Sequence, residues 1–197
     1  MIMAHRAGSL LRRIGDWLPV SGVLADVGSG TGHNAEAIRH QCRLSVSEFD
    51  IANIHWIGPG AMLFDGNRIP SEDKNFDCVL LLFVLQYPES PLQLLTEAGR
   101  VSRGSIIVVQ STYRSRLGDL VLSVREFIWG RFAFAFAIFF RIVKPVDCPL
   151  WARRRLTRED LTKLFADAKL RVKYFQAADW AGLGISRDLF LLEPIES

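Results

Sequence analysis

The stretch best suited to chemistry is Asp26-Val27-Gly28-Ser29-Gly30-Thr31-Gly32, an acid followed by glycine at every second position. It continues the apolar run Val23-Leu24-Ala25, so a buried strand runs into a tight turn, and Asn34 to His40 suits a helix start. Glycine lets such a turn adopt positive φ and keeps side chains away from a ligand lying on its backbone. The amides that open the following helix face the same space. On these residues alone, a glycine turn that binds nothing reads the same way. The dinucleotide fingerprint Gly-x-Gly-x-x-Gly places its third glycine to seat a pyrophosphate. Here the third glycine comes one residue early, and Asp26 is placed to meet a cation such as the ammonium of an amino acid.

Two further acids close apolar segments. Leu44 to Asp50 alternates as a strand and ends on Asp50, 24 residues beyond Asp26. A carboxylate at such a tip can accept from both hydroxyls of a ribose. Glu48 falls on the same face by alternation and is its rival. Ala61 to Gly66 reads as a third strand ending in Asp65. Asn75 to Leu85 is apolar on both faces, as a central parallel strand is. Pro91 to Val101 has helical periodicity, with Leu92, Leu95, Ala98 and Val101 inward and a Glu97–Arg100 pair on the exposed side. Gly104 to Gln110 is a fifth strand.

Asp26 to Gly32 resembles the first motif of the class I S-adenosylmethionine-dependent methyltransferases that act on small molecules. Asp65-Gly66, Ile69-Pro70, Asp73 and Phe76-Asp77 are similar to the segment with which that family holds the adenine edge and enters its fourth strand. Leu95, Glu97-Ala98 and Arg100-Val101, followed by Ile106 to Val109, resemble the stretch before its fifth strand. The likeness runs in order over residues 20–112. It implies an α/β, Rossmann-like, doubly wound fold: a mostly parallel seven-stranded sheet with one late antiparallel strand. It also implies S-adenosylmethionine as cofactor, held by Asp26, Gly28, Ser29, Gly30, Gly32, Asp50, Asp65, Gly66 and Phe83. Asp65 would accept from the adenine amino group, or alternatively cap the turn after it. Asp77 would be structural.

The elements that must position these residues fit one domain spanning residues 1–197. Residues 7–18 carry Leu10, Leu11, Ile14, Trp17 and Leu18 on one helical face, an N-terminal element (1–20) that Pro19 ends and that has no catalytic role. Only fourteen residues separate Asp50 from Asp65, Gly58-Pro59-Gly60 among them, so the second crossover helix is cut to about Ile51–Trp56. Thr157 to Asp160 opens a late helix with a capping box and an inner face of Leu161, Leu164, Phe165 and Ala168. Leu170 to Ala177 and Asp188 to Leu192 are the last two strands.

Residues 116–150 form an apolar helical insertion after the fifth strand, with seven aromatics between Phe127 and Phe140. A helix over 116–144 has one narrow line of polar or small residues, from Arg116 through Asp119, Ser123 and Glu126 to Arg141 and Lys144. Arg125 and Arg131 interrupt the rest, and arginine at a bilayer centre costs about 2.5–3.5 kcal/mol, which argues against a span. A lid over the substrate, a contact with a twin subunit, and an in-plane membrane helix assisted by Arg153-Arg154-Arg155 stay open.

The net charge of +3 is scattered rather than massed, which gives no footing for nucleic acid. Cys42, Cys78 and Cys148 form no Cys-x-x-Cys pair, and neither they nor the four histidines suggest a metal. The N-terminal arginines and short apolar run do not read as a signal peptide, so a cytoplasmic protein is expected, with peripheral contact at the inner membrane face an option. Leu85-Gln86-Tyr87-Pro88 stands where nucleic-acid amino-methylating relatives would have Asn-Pro-Pro-Tyr. Methyl transfer from a sulfonium needs alignment more than an acid or base, so no catalytic motif is obligatory. Tyr113, His33 and Tyr87 are the candidates to touch the acceptor, for which the aromatic stretch implies a small and lipophilic molecule. A non-catalytic S-adenosylmethionine-binding protein, or a partner subunit docking through its apolar helix, is the alternative.

Overall fold

The computed structural model describes residues 2–128, 152–180 and 184–195. An amphipathic helix, α1 (Ile2–Ile14), runs into a 3₁₀ turn at Gly15–Trp17, ahead of β1 (Val23–Val27). Then follow α2 (His33–Cys42), β2 (Ser45–Asp50), β3 (Met62–Leu63), β4 (Phe76–Leu82), α3 (Pro91–Val101), β5 (Ser102–Tyr113) and α4 (Arg116–Glu126). The chain closes with a helix at Arg158–Asp167, here α5, and the strands β6 (Leu170–Trp180) and β7 (Ile185–Pro194).

The seven strands form one sheet in the order β3-β2-β1-β4-β5-β7-β6. β1 to β5 are parallel, and β7 inserts antiparallel between β5 and β6, from Ile106↔Leu192 to Tyr113↔Ile185. The order reverses between β1 and β4, and the tips of strands at such a point line a crevice. Leu24, Val79, Leu80 and Ile106 to Val109 are fully buried, because α1 and α2 cover one face of the sheet and α3 and α5 the other. The strand entrances are tied by Asp77. Its carboxylate accepts from Val23 N at 2.9 Å and from Arg103 at 2.7 and 2.8 Å, as the structural role expected of it requires.

Three expectations are corrected. Ile51–Trp56 is not a helix: Asp50 Oδ1 draws in the amides of Ile51 and Ala52, and Trp56 N donates to Thr31 O, so the chain folds back on the glycine turn. The third strand shrinks to Met62–Leu63, whose parallel pairing with β2 ends on the bond from Phe64 N to Asp50 O. Glu97–Arg100 is not a mere exposed pair, because Arg100 also donates to the carbonyls of Ser71 and Ile69 and so stitches the loop after β3 to α3.

At α5 the capping box is complete, Thr157 Oγ1 accepting from Asp160 N and Asp160 Oδ2 from Thr157 N. Replacing Thr157 by alanine is expected to destabilise the fold by about 1 kcal/mol. A urea midpoint lowered at unchanged slope is the readout; an unmoved midpoint would show the cap to be idle.

Of the helix expected over 116–144, the first eleven residues are seen as α4, and residues 129–144 lie outside those described. Gly118 and Leu122 face the protein, while Leu117, Leu120, Val124, Phe127 and Ile128 are each about half exposed along one side. Among the described residues no helix is long and apolar enough to cross a membrane. The triple Arg153-Arg154-Arg155 is engaged by protein: Arg153 pairs with Glu89, Arg154 donates to Glu89 O, and Arg155 pairs with Asp119 of α4.

Candidate functional site

β1 delivers Asp26 to the middle of the sheet, with Glu48 of β2 beside it in register and Leu80 of β4 on its other flank. Its side chain is fully buried, and among the described residues neither carboxylate oxygen has a hydrogen-bond partner. Burial raises its carboxyl from the ordinary 3.8 to about 7; the nearby Glu48 and Asp50 charges add to this and Arg39 opposes it. A buried acceptor left without a donor is costly to a fold and asks for a cationic or protonated ligand.

The glycine turn wraps the tip of β1. Gly28, Gly30 and Gly32 all have positive φ, and the amides of Gly28 and Ser29 donate to Phe49 O. The three positions differ in what surrounds them. A Cβ on Gly28 would sit 2.5 Å from the Val84 side chain, and one on Gly32 2.5 Å from the Ile57 carbonyl oxygen. On Gly30 it would meet nothing among the described residues nearer than Gly28 O at 4.0 Å. Protein packing therefore requires glycine at 28 and 32, whereas at 30 the space is open. Ser29 is buried beside this opening, and its hydroxyl has no hydrogen-bond partner among the described residues.

Asp50 holds the turn, with Oδ2 accepting from Gly30 N at 2.8 Å and Oδ1 from Ile51 N. A carboxylate oxygen has two lone pairs, so capacity for a ligand hydroxyl remains at Oδ2. Its rival Glu48 is committed elsewhere, to Arg39 and, at 2.6 Å, to His55 Nε2. Sequence reasoning missed this Arg39–Glu48–His55 network; His55 lies on an irregular loop, and only its fold-back brings the ring under Gly32. Asp65 is exposed, and its Oδ1 accepts from the amides of Asn67 and Arg68 at 2.9 and 3.0 Å, hydrogen bonds that hold its carboxyl below the usual range. That is a turn cap. Gly66 follows with φ of 80°.

Beyond the turn opens a cleft of about 240 Å³. It is lined by Thr31, His33 and Asn34, by Phe83 and Arg187, and by residues of α1 from Met3 to Leu10. Phe83 ends β4 in a left-handed conformation, φ 61°, a departure that non-glycine residues make where structure imposes it. The Arg187 guanidinium lies over its ring at 5.3 Å from the centroid. His33 Nδ1 is 2.9 Å from Thr31 Oγ1, and its ring meets Trp56 edge-on. Of the three acceptor-contacting candidates, His33 lines the cleft, and Tyr87 and Tyr113 are not among its lining residues. Arg187 and the α1 side chains escaped the sequence reading, although His5, Arg6 and Ser9 bordering the stripe of Leu10 and Ile14 are the signal that was there.

A family model described as a methyltransferase domain matches residues 2–172. The chain belongs to the methyltransferase-domain family. Its fold is that of the class I S-adenosylmethionine-dependent methyltransferases, and S-adenosylmethionine is their cofactor. Comparison with curated proteins gives no match. Among solved structures, a SAM-dependent methyltransferase from Methanosarcina mazei is similar at 15% identity and TM-score 0.63, covering 93% of this chain and 98% of its own. The geranyl diphosphate C-methyltransferase of Streptomyces coelicolor A3(2), solved with Mg2+, geranyl diphosphate and S-adenosyl-L-homocysteine, gives 11% identity and TM-score 0.68, with 97% and 80% covered. The [4+2]-cyclase SpnF gives 13% and 0.67, with 98% and 81% covered. One methyltransferase fold thus hosts more than one chemistry, and what this methyltransferase acts on has to be argued from its own residues.

Proposed function

We propose that this methyltransferase binds S-adenosylmethionine across the tips of β1, β2 and β4 and methylates a small, lipophilic acceptor admitted by the adjoining cleft. The observation that carries the reading is the pair of unpartnered, buried Asp26 oxygens beside a glycine turn whose middle position is open. An α-ammonium fits that carboxylate, and a ligand backbone fits against Gly30. Asp50 takes the ribose hydroxyls, Ser29 and Phe83 border the cofactor, and Asp65-Gly66 stands at the adenine end. When bound, the sulfonium supplies an already activated methyl group. The chain's own part is to align the acceptor and keep water out.

Titration calorimetry with S-adenosylmethionine, followed by a methyl-transfer screen of quinones, isoprenoids and polar metabolites, tests both halves. Binding together with methylation of apolar acceptors is the expected result. Absence of binding would sink the cofactor assignment, and methylation of polar metabolites alone would sink the lipophilic acceptor. Binding with no turnover in any pool would return the chain to the non-catalytic reading.

We also infer a contact with an apolar surface through α4, supported by Leu117, Leu120, Val124, Phe127 and Ile128 standing half exposed on one side. Liposome flotation reads a membrane face and sedimentation a second copy of the chain. A monomer that ignores liposomes would remove the proposal.

A further inference from the structure

Three carboxylates gather at the glycine turn. Asp26 of β1 stands in register with Glu48 of β2, so their side chains share a face of the sheet on strands about 4.8 Å apart. Asp50 follows Glu48 by two residues on the same strand. Among the described residues, only two of the three acids have hydrogen-bond partners. Asp50 is engaged by the amides of Gly30 and Ile51. Glu48 is gripped at both oxygens: Arg39 donates to Oε1 at 2.5 Å, and His55 Nε2 lies 2.6 Å from Oε2. The side chains of Glu48 and His55 are 1% and 5% exposed, so this clamp belongs to the interior. It also abuts the turn, since a Cβ on Gly32 would come within 2.8 Å of the His55 ring.

The clamp orders Glu48 without cancelling its charge at Asp26. Donation from Nε2 satisfies the contact with Glu48, and His55 Nδ1 is buried with no partner among the described residues to receive a second proton. Facing Asp26 are Glu48 and Asp50 from β2, Arg39 from α2 and the apolar Leu80 from β4. Arg39 is shared with Glu36, 3.3 Å away. The balance at Asp26 is therefore two anions against one divided cation. Burial is the largest cause of the raised Asp26 carboxyl, the two anions add to it, and Arg39 opposes them. A carboxyl in such a field keeps its proton while the site is empty and yields it to an arriving cation.

We infer that Glu48, clamped by Arg39 and His55, is a positioning residue for the cofactor: it acts through Asp26, and its fixed charge holds that carboxyl for an ammonium. The inference rests on the cofactor reading of the turn and adds the residues that set the charge state of its central acid.

The probe is S-adenosylhomocysteine, which carries the ammonium and has no methyl group to transfer, titrated into the whole protein from about pH 5 to 8. Wild-type affinity rises with pH and levels off at about 7. E48Q removes an anion beside Asp26, so the levelling-off is expected to move down by roughly one pH unit, with affinity on the plateau about tenfold weaker. R39Q removes the opposing cation and is expected to move it up by a similar amount. H55Q keeps a donor for Glu48 without an ionisable ring, and the levelling-off is expected to persist, which assigns it to Asp26. A clamp that only supports the fold would weaken binding by one factor at every pH. Absent shifts, shifts of one sign in E48Q and R39Q, or a pH dependence lost in H55Q would each overturn the inference. If E48Q does not fold, R39Q decides alone, its side chain being partly exposed on α2. If the protein ignores S-adenosylhomocysteine, the cofactor reading fails separately. The pH at which the ligand-free variants stop losing thermal stability, displaced in the same opposite directions or not, then still decides for or against the charge network.

Discussion

Replacing Asp26 by asparagine is expected to weaken S-adenosylmethionine binding by about ten- to a hundredfold and yet to stabilise the ligand-free protein at alkaline relative to acidic pH. The first effect is the loss of a charge-assisted hydrogen bond to the ammonium, worth roughly 1.5–3 kcal/mol. The second follows from the raised carboxyl, 3.8 ordinarily and about 7 in the fold. Below about pH 4 the group is protonated in both folded and unfolded chains, and its contribution is fully present. From there to about pH 7 the unfolded chain releases the proton and the folded chain retains it, so stability falls by about 1.4 kcal/mol per pH unit. Above about pH 7 both states are ionised and the loss is complete. Between pH 5 and 8 the wild type therefore gives up about 3 kcal/mol that D26N does not, a divergence in Tm on the order of 5–10 °C. Parallel melting curves across that range would mean that Asp26 ionises normally and already has a partner. By the same linkage, cofactor binding draws out the Asp26 proton, so affinity is expected to rise with pH up to about 7 and then level off.

The glycines supply the second large effect, and it comes from a contrast. At Gly30 an alanine Cβ has open space around it, so the protein loses only the left-handed backbone preference, roughly 1 kcal/mol. That methyl nevertheless occupies the volume proposed for the cofactor, and affinity is expected to fall about a hundredfold, near 2.7 kcal/mol. At Gly32 the same methyl is driven into a backbone carbonyl and the buried His55 ring. There the fold bears the damage, with an expected loss of about 2–3 kcal/mol from overpacking and backbone strain together. Calorimetry and urea melts on G30A and G32A separate the two. A G30A protein that binds S-adenosylmethionine like wild type would remove the turn from the site, however stable it proved.

The central sheet was legible because its strands are short apolar runs closed by acids or glycine, and parallel pairing buries both faces of such runs. Pro91–Val101 could be read to the residue, since Ser90 caps it and proline opens it. The loop after Asp50 could not. Its course is set by Asp50 capping two amides and by Trp56 reaching Thr31, pairings between residues with no periodicity to announce them. The same limit governed the site. Asp26, Gly30 and Asp50 share one local motif logic, whereas Arg187 reaches the cleft only because β7 threads into the sheet at that register. Asp65 allows two readings from sequence, and its bonds to Asn67 and Arg68 supply the turn cap.

The placement of β7 between β5 and β6 also bears on how the chain is made. β6 leaves the ribosome before β7, yet it has no direct neighbour in the sheet until β7 arrives, because β7 alone joins it to β5. Until then the edge of β5, with Ile106 to Val109, stays unpaired through synthesis of α4, the aromatic segment and α5. Such long-range closure is slow and leaves a sticky strand edge in the nascent protein. Nascent chains stalled before residue 185 are accordingly expected to remain protease-sensitive throughout and to need a chaperone to stay dispersed, with resistance gained in one step once β7 emerges.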